Sequence, residues 1–92
     1  MPRVASDAAA HIGKHITQRR LSIGMTQDQV AASSGIDSSN VRAYESGRGM
    51  PSIQSLVRIA DALGADPGEF LSGLKPEQFA TPADDGRRRR AN

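Results

Sequence analysis

The amino-acid sequence predicts an all-α fold, a compact domain of five helices followed by a flexible C-terminal tail. Two observations carry this expectation. Apolar residues recur at helical spacing, as in Ile12 and Ile16 or in Leu56, Ile59, Ala60 and Leu63. These stretches are bracketed by helix-starting residues (Ser6, Thr26, Asp37, Ser52, Asp66) and by stopping glycines such as Gly24, Gly35 and Gly64. The chain's 92 residues support one small domain and leave no room for a second, ligand-sensing one. No cysteine is present, so neither a disulfide framework nor a thiolate zinc site staples the fold, and packing alone must hold it.

Residues 1–5 show no period and read as a loose arm. The first helix starts at Ser6 or Asp7 and runs to about Ile23, with Gly24 as its stop. Ile12 and Ile16 form its apolar stripe, Arg20 continues the spacing as a charge, and Leu21 and Ile23 thicken the apolar side. Gly13 reads as a mild weakness, costing roughly 1 kcal/mol relative to Ala. Thr26 then caps a second helix, with Gln29 reaching back in a capping box and Val30 and Ala31 facing inward. After a tight turn at Gly35, Asp37 caps a third helix whose inward residues are Val41 and Tyr44.

The stretch Ser46-Gly47-Arg48-Gly49-Met50-Pro51 reads as a loop. Ser52 caps a fourth, strongly amphipathic helix carrying Ile53, Leu56, Val57, Ile59, Ala60 and Leu63 and closed by Gly64. Asp66, Pro67 and Glu69 open a short fifth helix with Phe70, Leu71 and Leu74, ended near Gly73. The domain is thus expected over 6–74. Over 75–92 the apolar period vanishes, and four arginines, Arg87 to Arg90, close a tail expected to be disordered.

The second and third helices, over 26–47, have the layout of a helix-turn-helix, in which the second helix of the pair enters the DNA major groove. Ser38, Ser39, Asn40 and Arg42 remain outward, and hydroxyls, an amide and a guanidinium near a helix N-terminus suit base edges and phosphates. Overall charge is a poorer guide. The net charge is +2 and the isoelectric point near 9.7, yet residues 1–74 carry seven basic and seven acidic side chains. The excess lies in the tail, so DNA binding depends on whether Arg42, Arg48 and their neighbours share one face.

From Ile12 to Leu74 the chain resembles the Cro and phage-repressor-like, or Xre-type, helix-turn-helix family. The matching residues are Arg20-Leu21, Gly24-Met25-Thr26-Gln27, Val30-Ala31, Gly35-Ile36, Val41, Tyr44-Glu45-Ser46-Gly47-Arg48, Pro51, Leu56, Ile59 to Gly64 and Phe70-Leu71. The resemblance implies a lambda-repressor-like fold and a sequence-specific double-stranded-DNA-binding transcriptional regulator, a repressor that binds a palindromic operator as a homodimer. By the same resemblance Gln27 touches a phosphate and braces the third helix. Ser38, Ser39 and Arg42 face bases, and Asn40, Ser46 and Arg48 face phosphates. Where family members often place long amides this chain has serines, which leaves Arg42 as the residue able to contact guanine in bidentate fashion. Arg20 and Glu45 match a partly buried structural ion pair.

Plainer readings stand beside these. Ser38 and Ser39 start a helix well whatever its function, and Arg42 could pair with Asp37 or Asp28 on a solvated face. His11 and His15 are spaced i, i+4 but lack a third ligand, so no metal site is expected, and no cofactor or catalytic constellation is read. The apolar run needed for a membrane span is absent, as is the core of a signal peptide, so a cytoplasmic protein without a membrane partner is expected. The homodimer contact is expected at Phe70, Leu71, Leu74 and Phe79. Rival functions are an antitoxin with a toxin partner, a restriction-modification controller protein, or a helical protein-interaction module without DNA binding.

Overall fold

The computed structural model describes residues 4–79, and their fold is all-helical. Four α-helices, α1 (Asp7–Ser22), α2 (Gln27–Ser34), α3 (Ser38–Ser46) and α4 (Ile53–Leu63), are followed by two 3-10 turns, Pro67–Leu71 and Pro76–Phe79. Their ends follow the capping chemistry of the sequence. The Ser6 hydroxyl accepts from Ala9 N–H and the Ser52 hydroxyl from Ser55 N–H, while Thr26 and Gln29 form a reciprocal capping box. Asp37 departs from expectation: it precedes α3 with no side-chain cap bond.

The core joins α1, α2, α3, α4 and the first 3-10 turn. Ile16, Val30, Val41, Ile59 and Phe70 have no exposed surface, and Ile12, Leu56 and Leu63 are nearly as deep. Around it α1 packs on α3, α2 on both α3 and α4, and the first 3-10 turn on α1 and α4. The expected apolar stripes are narrower than the sequence suggested. Leu21 and Ile23 at the end of α1 and Ile53 and Val57 on α4 are exposed, because the core takes only the residues on one side of each helix.

The expected fifth α-helix is a 3-10 turn. Five residues from Pro67 to Leu71, with Gly68 inside and a left-handed Gly73 two residues on, leave too little chain for a regular i to i+4 ladder. Asp66 still caps it, accepting from Gly68 N–H at 3.3 Å. Order also runs past Leu74, since the second 3-10 turn packs on α1 and Lys75 N–H donates to Gln78 Oε1 at 2.8 Å. At the other end Ala5 N–H donates to Gly47 O at 2.8 Å, which ties the last residue of the expected arm to the end of α3. Residues 80–92, with the four arginines, lie outside the described residues.

Gly13 is a contact point rather than a weakness. A Cβ there would lie 2.2 Å from Tyr44 O and 2.6 Å from Glu45 O, both backbone atoms of α3. Only a residue without a side chain allows α1 and α3 to approach this closely.

Candidate nucleic-acid interface

The α3 helix is held by a polar cluster beneath it. The Glu45 carboxylate accepts from Arg20 Nε at 2.7 Å and Arg20 Nη2 at 3.0 Å, a two-point contact. Gln27 Nε2 donates to Glu45 Oε1 at 3.0 Å. The Thr17 hydroxyl lies 3.0 Å from the same oxygen and 2.9 Å from Gly13 O, with one proton to serve them. Arg20 Nη1 also donates to Met25 O at 2.9 Å. The two charged side chains are only 13% and 5% exposed, so their pairing decides whether the site is tolerable at all.

Burial pushes the Glu45 carboxyl up, but the hydrogen bonds from Arg20, Gln27 and Thr17 outweigh it and hold the group below its ordinary range. The hydrogen bond to Glu45 holds Arg20 above its own usual value against the opposing effect of burial. Glu45 is therefore a carboxylate spent inside the protein. It removes the acid of α3 from the surface that carries the candidate contacts.

That surface is a stripe on α3. Ser39, Arg42 and Ser46, at i, i+3 and i+7, are exposed, as is Asn40 beside them, while Ser38 is half-buried at the first turn. Asp37 makes no side-chain cap bond at this positive helix end, while its backbone carbonyl accepts from the Asn40 N–H at 3.0 Å. Arg48, exposed just beyond the helix, donates from Nε to Ser46 Oγ at 3.1 Å. Six of the seven expected residues, Ser38, Ser39, Asn40, Arg42, Ser46 and Arg48, are thus on α3 or directly after it. Gln27 lies at the start of α2 with its amide turned to Glu45, the bracing half of its expected role.

Arg42 is already partnered. Its Nη2 donates to Asp28 Oδ1 at 3.1 Å, with the two side chains 48% and 72% exposed. Of the two acids weighed for it, Asp28 is the one it meets. Sequence reasoning missed Thr17 in the buried cluster; its place one turn before Arg20 on α1 was the available signal. His11 and His15 face each other with ring centroids 4.6 Å apart, and His11 Nε2 donates to Ser72 O at 2.6 Å, joining α1 to the segment after the first 3-10 turn.

Two short helices joined through a left-handed Gly35, the second exposing a polar and cationic stripe over a braced underside, define a helix-turn-helix protein. A helix-turn-helix family model matches residues 16–70, and the chain belongs to this Xre-type family. The chain is 42% identical over 52 residues to the cryptic phage CTXphi transcriptional repressor RstR of Vibrio cholerae, over 56% of this chain but 46% of that protein. It thus spans about half the length of that relative. An uncharacterized helix-turn-helix transcriptional regulator of Sinorhizobium fredii, y4dJ, is 30% identical over 76% of this chain and 91% of its own length.

Among solved structures, the restriction-modification controller protein C.AhdI from Aeromonas hydrophila matches with a TM-score of 0.66 and 29% identity, over 67% of this chain and 94% of that one. A point variant of the controller protein C.Esp1396I, bound to its highest affinity operator site, matches with a TM-score of 0.66 and 27% identity, over 72% and 87% of the two chains.

Proposed function

We propose that this chain is a sequence-specific, double-stranded-DNA-binding transcriptional regulator, a repressor that acts by binding and not by catalysis. The observation that carries the reading is the α3 stripe of Ser39, Arg42 and Ser46, exposed above an acid that the protein has neutralised internally. Family membership and the repressor and controller relatives support it. In the proposed complex α3 lies in the major groove. Ser38, Ser39 and Arg42 meet bases, and Asn40, Ser46 and Arg48 meet phosphates. Gln27 adds a phosphate contact while bracing Glu45.

The proposed assembly is a homodimer on a palindrome, with two recognition helices about 34 Å apart in successive major grooves. Phe70 cannot serve the dimer contact, since it is wholly buried in the core; Leu71 and Phe79, 39% and 46% exposed, remain for it, with the half-buried Leu74. A second reading, a restriction-modification controller protein, is favoured by the two controller structures. It shares the DNA chemistry and differs in the neighbouring gene.

Binding to duplexes selected from random DNA tests the proposal. Arg42→Ala is expected to cost about 1–3 kcal/mol and to relax preference at one base pair. Arg48→Ala is expected to weaken all duplexes alike and to reduce the salt dependence by about one phosphate contact. If no salt-sensitive specific complex forms at any soluble concentration, the chain is a protein-interaction module instead.

A further inference from the structure

We propose that Asp28 is a specificity-determining positioning residue: its carboxylate aims the Arg42 guanidinium at base edges and away from the phosphates. The proposal rests on the reading of α3 as the base-contacting helix. Asp28 stands on the first turn of α2, between two residues that are pinned. Gln27 is bound to Glu45 through its amide, and Gln29 is bound to the Thr26 N–H at 2.8 Å as one half of the capping box. The turn that carries Asp28 is therefore fixed relative to α3, whereas the long Arg42 side chain has rotamer freedom to lose. A carboxylate on a fixed turn, 3.1 Å from Nη2, restricts that freedom before any DNA arrives.

The donor count permits both partners at once. A guanidinium has five N–H donors, and Asp28 takes one from Nη2. The remaining four suffice for the O6 and N7 acceptors of a guanine. Charge supplies the discrimination. Phosphate contacts carry no sequence information, and an unassisted arginine on this face would take them readily. With Asp28 beside it, a phosphate approaching Arg42 also approaches a carboxylate and is repelled, whereas the neutral edge of a base pair is not. Arg48, the other cation of this surface, is bonded to the neutral Ser46 hydroxyl and remains suited to phosphate.

The test uses the full chain and a duplex recovered by selection from random DNA. Wild type, Asp28→Asn, Arg42→Ala and the double variant are measured against this duplex, against versions with each base pair exchanged in turn, and against random duplex. Arg42→Ala is expected to abolish preference at one base pair. Asp28→Asn is expected to reduce preference at that same pair about two- to fivefold, the factor an exposed ion pair can carry. It should also bind random duplex more tightly and remove nothing further when combined with Arg42→Ala. Unchanged preference in Asp28→Asn, or losses that simply add in the double variant, would overturn the role of Asp28 and leave that of Arg42 standing. Equal losses for Arg42→Ala on every duplex would overturn both.

Discussion

Gly13 sits in the interior of a 16-residue helix, where alanine is ordinarily preferred by about 1 kcal/mol. Here the added methyl would meet the Tyr44 and Glu45 carbonyl oxygens at 2.2 and 2.6 Å. These are backbone atoms of the helix proposed to read DNA, so the clash cannot be relieved by turning a side chain and α1 must part from α3. Gly13→Ala is therefore expected to lower stability by about 2 kcal/mol or more, within the range of overpacked cores and outweighing the propensity gain. It should weaken DNA binding as well, because α3 shifts. Urea unfolding checks this directly, and a more stable variant would show that α1 and α3 have room for the methyl group. Local propensity made Gly13 look like a defect, since its true neighbours stand about thirty positions away in the chain. Arg20 and Glu45 also stand far apart, 25 positions in the chain, yet their pairing was legible, because a family pattern carries both charges together. The Arg42 and Asp28 contact lay between these cases. The outward place of Arg42 follows from helical periodicity, whereas its choice of Asp28 over Asp37 depends on how α2 and α3 cross.

The helices themselves were legible where their ends carry chemistry. Thr26 and Gln29 form the capping box that their spacing implies, and Ser6 and Ser52 cap as expected. Thr26→Ala is accordingly expected to cost about 1 kcal/mol. Because α2 holds Gln27 against Glu45, the loss should also appear as faster amide exchange in the first turn of α2, and exchange unchanged there would mean that the turn is held by packing alone. Asp37 reads as a cap by the same rules but makes no cap bond. The stretch after Asp66 carries helix-starting residues as good as any in the chain, yet folds as a 3-10 turn. Capping residues say where a helix starts and not how many residues the core lets it keep. With three residues per turn, neighbours at 70 and 71 face different ways: Phe70 is buried and Leu71 exposed. For that reason Phe70, Leu71 and Leu74 could not be divided by sequence between core and surface.

At the scale of the whole molecule, α1, α2 and α3 meet at one carboxylate. Thr17 and Arg20 come from α1, Gln27 from α2 and Glu45 from α3, so the protonation of Glu45 bears on global stability. Its folded value lies below the ordinary 4.5 because hydrogen bonds from Arg20, Gln27 and Thr17 overcome the opposing effect of burial. In the unfolded chain the group takes up its proton at the ordinary value. As the pH falls past 4.5 the unfolded state therefore binds more protons than the folded one, and stability declines until the folded value is passed. Above that window the contribution is fully present. Arg20 has the opposite sign: its folded value is raised, so its contribution is present at every pH below the ordinary arginine range and is lost only above it. Glu45→Gln is expected to lose about 3–5 kcal/mol at neutral pH, because Arg20 is left buried beside a neutral amide. It should then lose less than wild type on acidification, since the titrating group is gone. Urea midpoints measured from neutral pH down through the carboxylate range separate the two effects, and parallel pH profiles for wild type and Glu45→Gln would show that the acid sensitivity of the fold arises elsewhere.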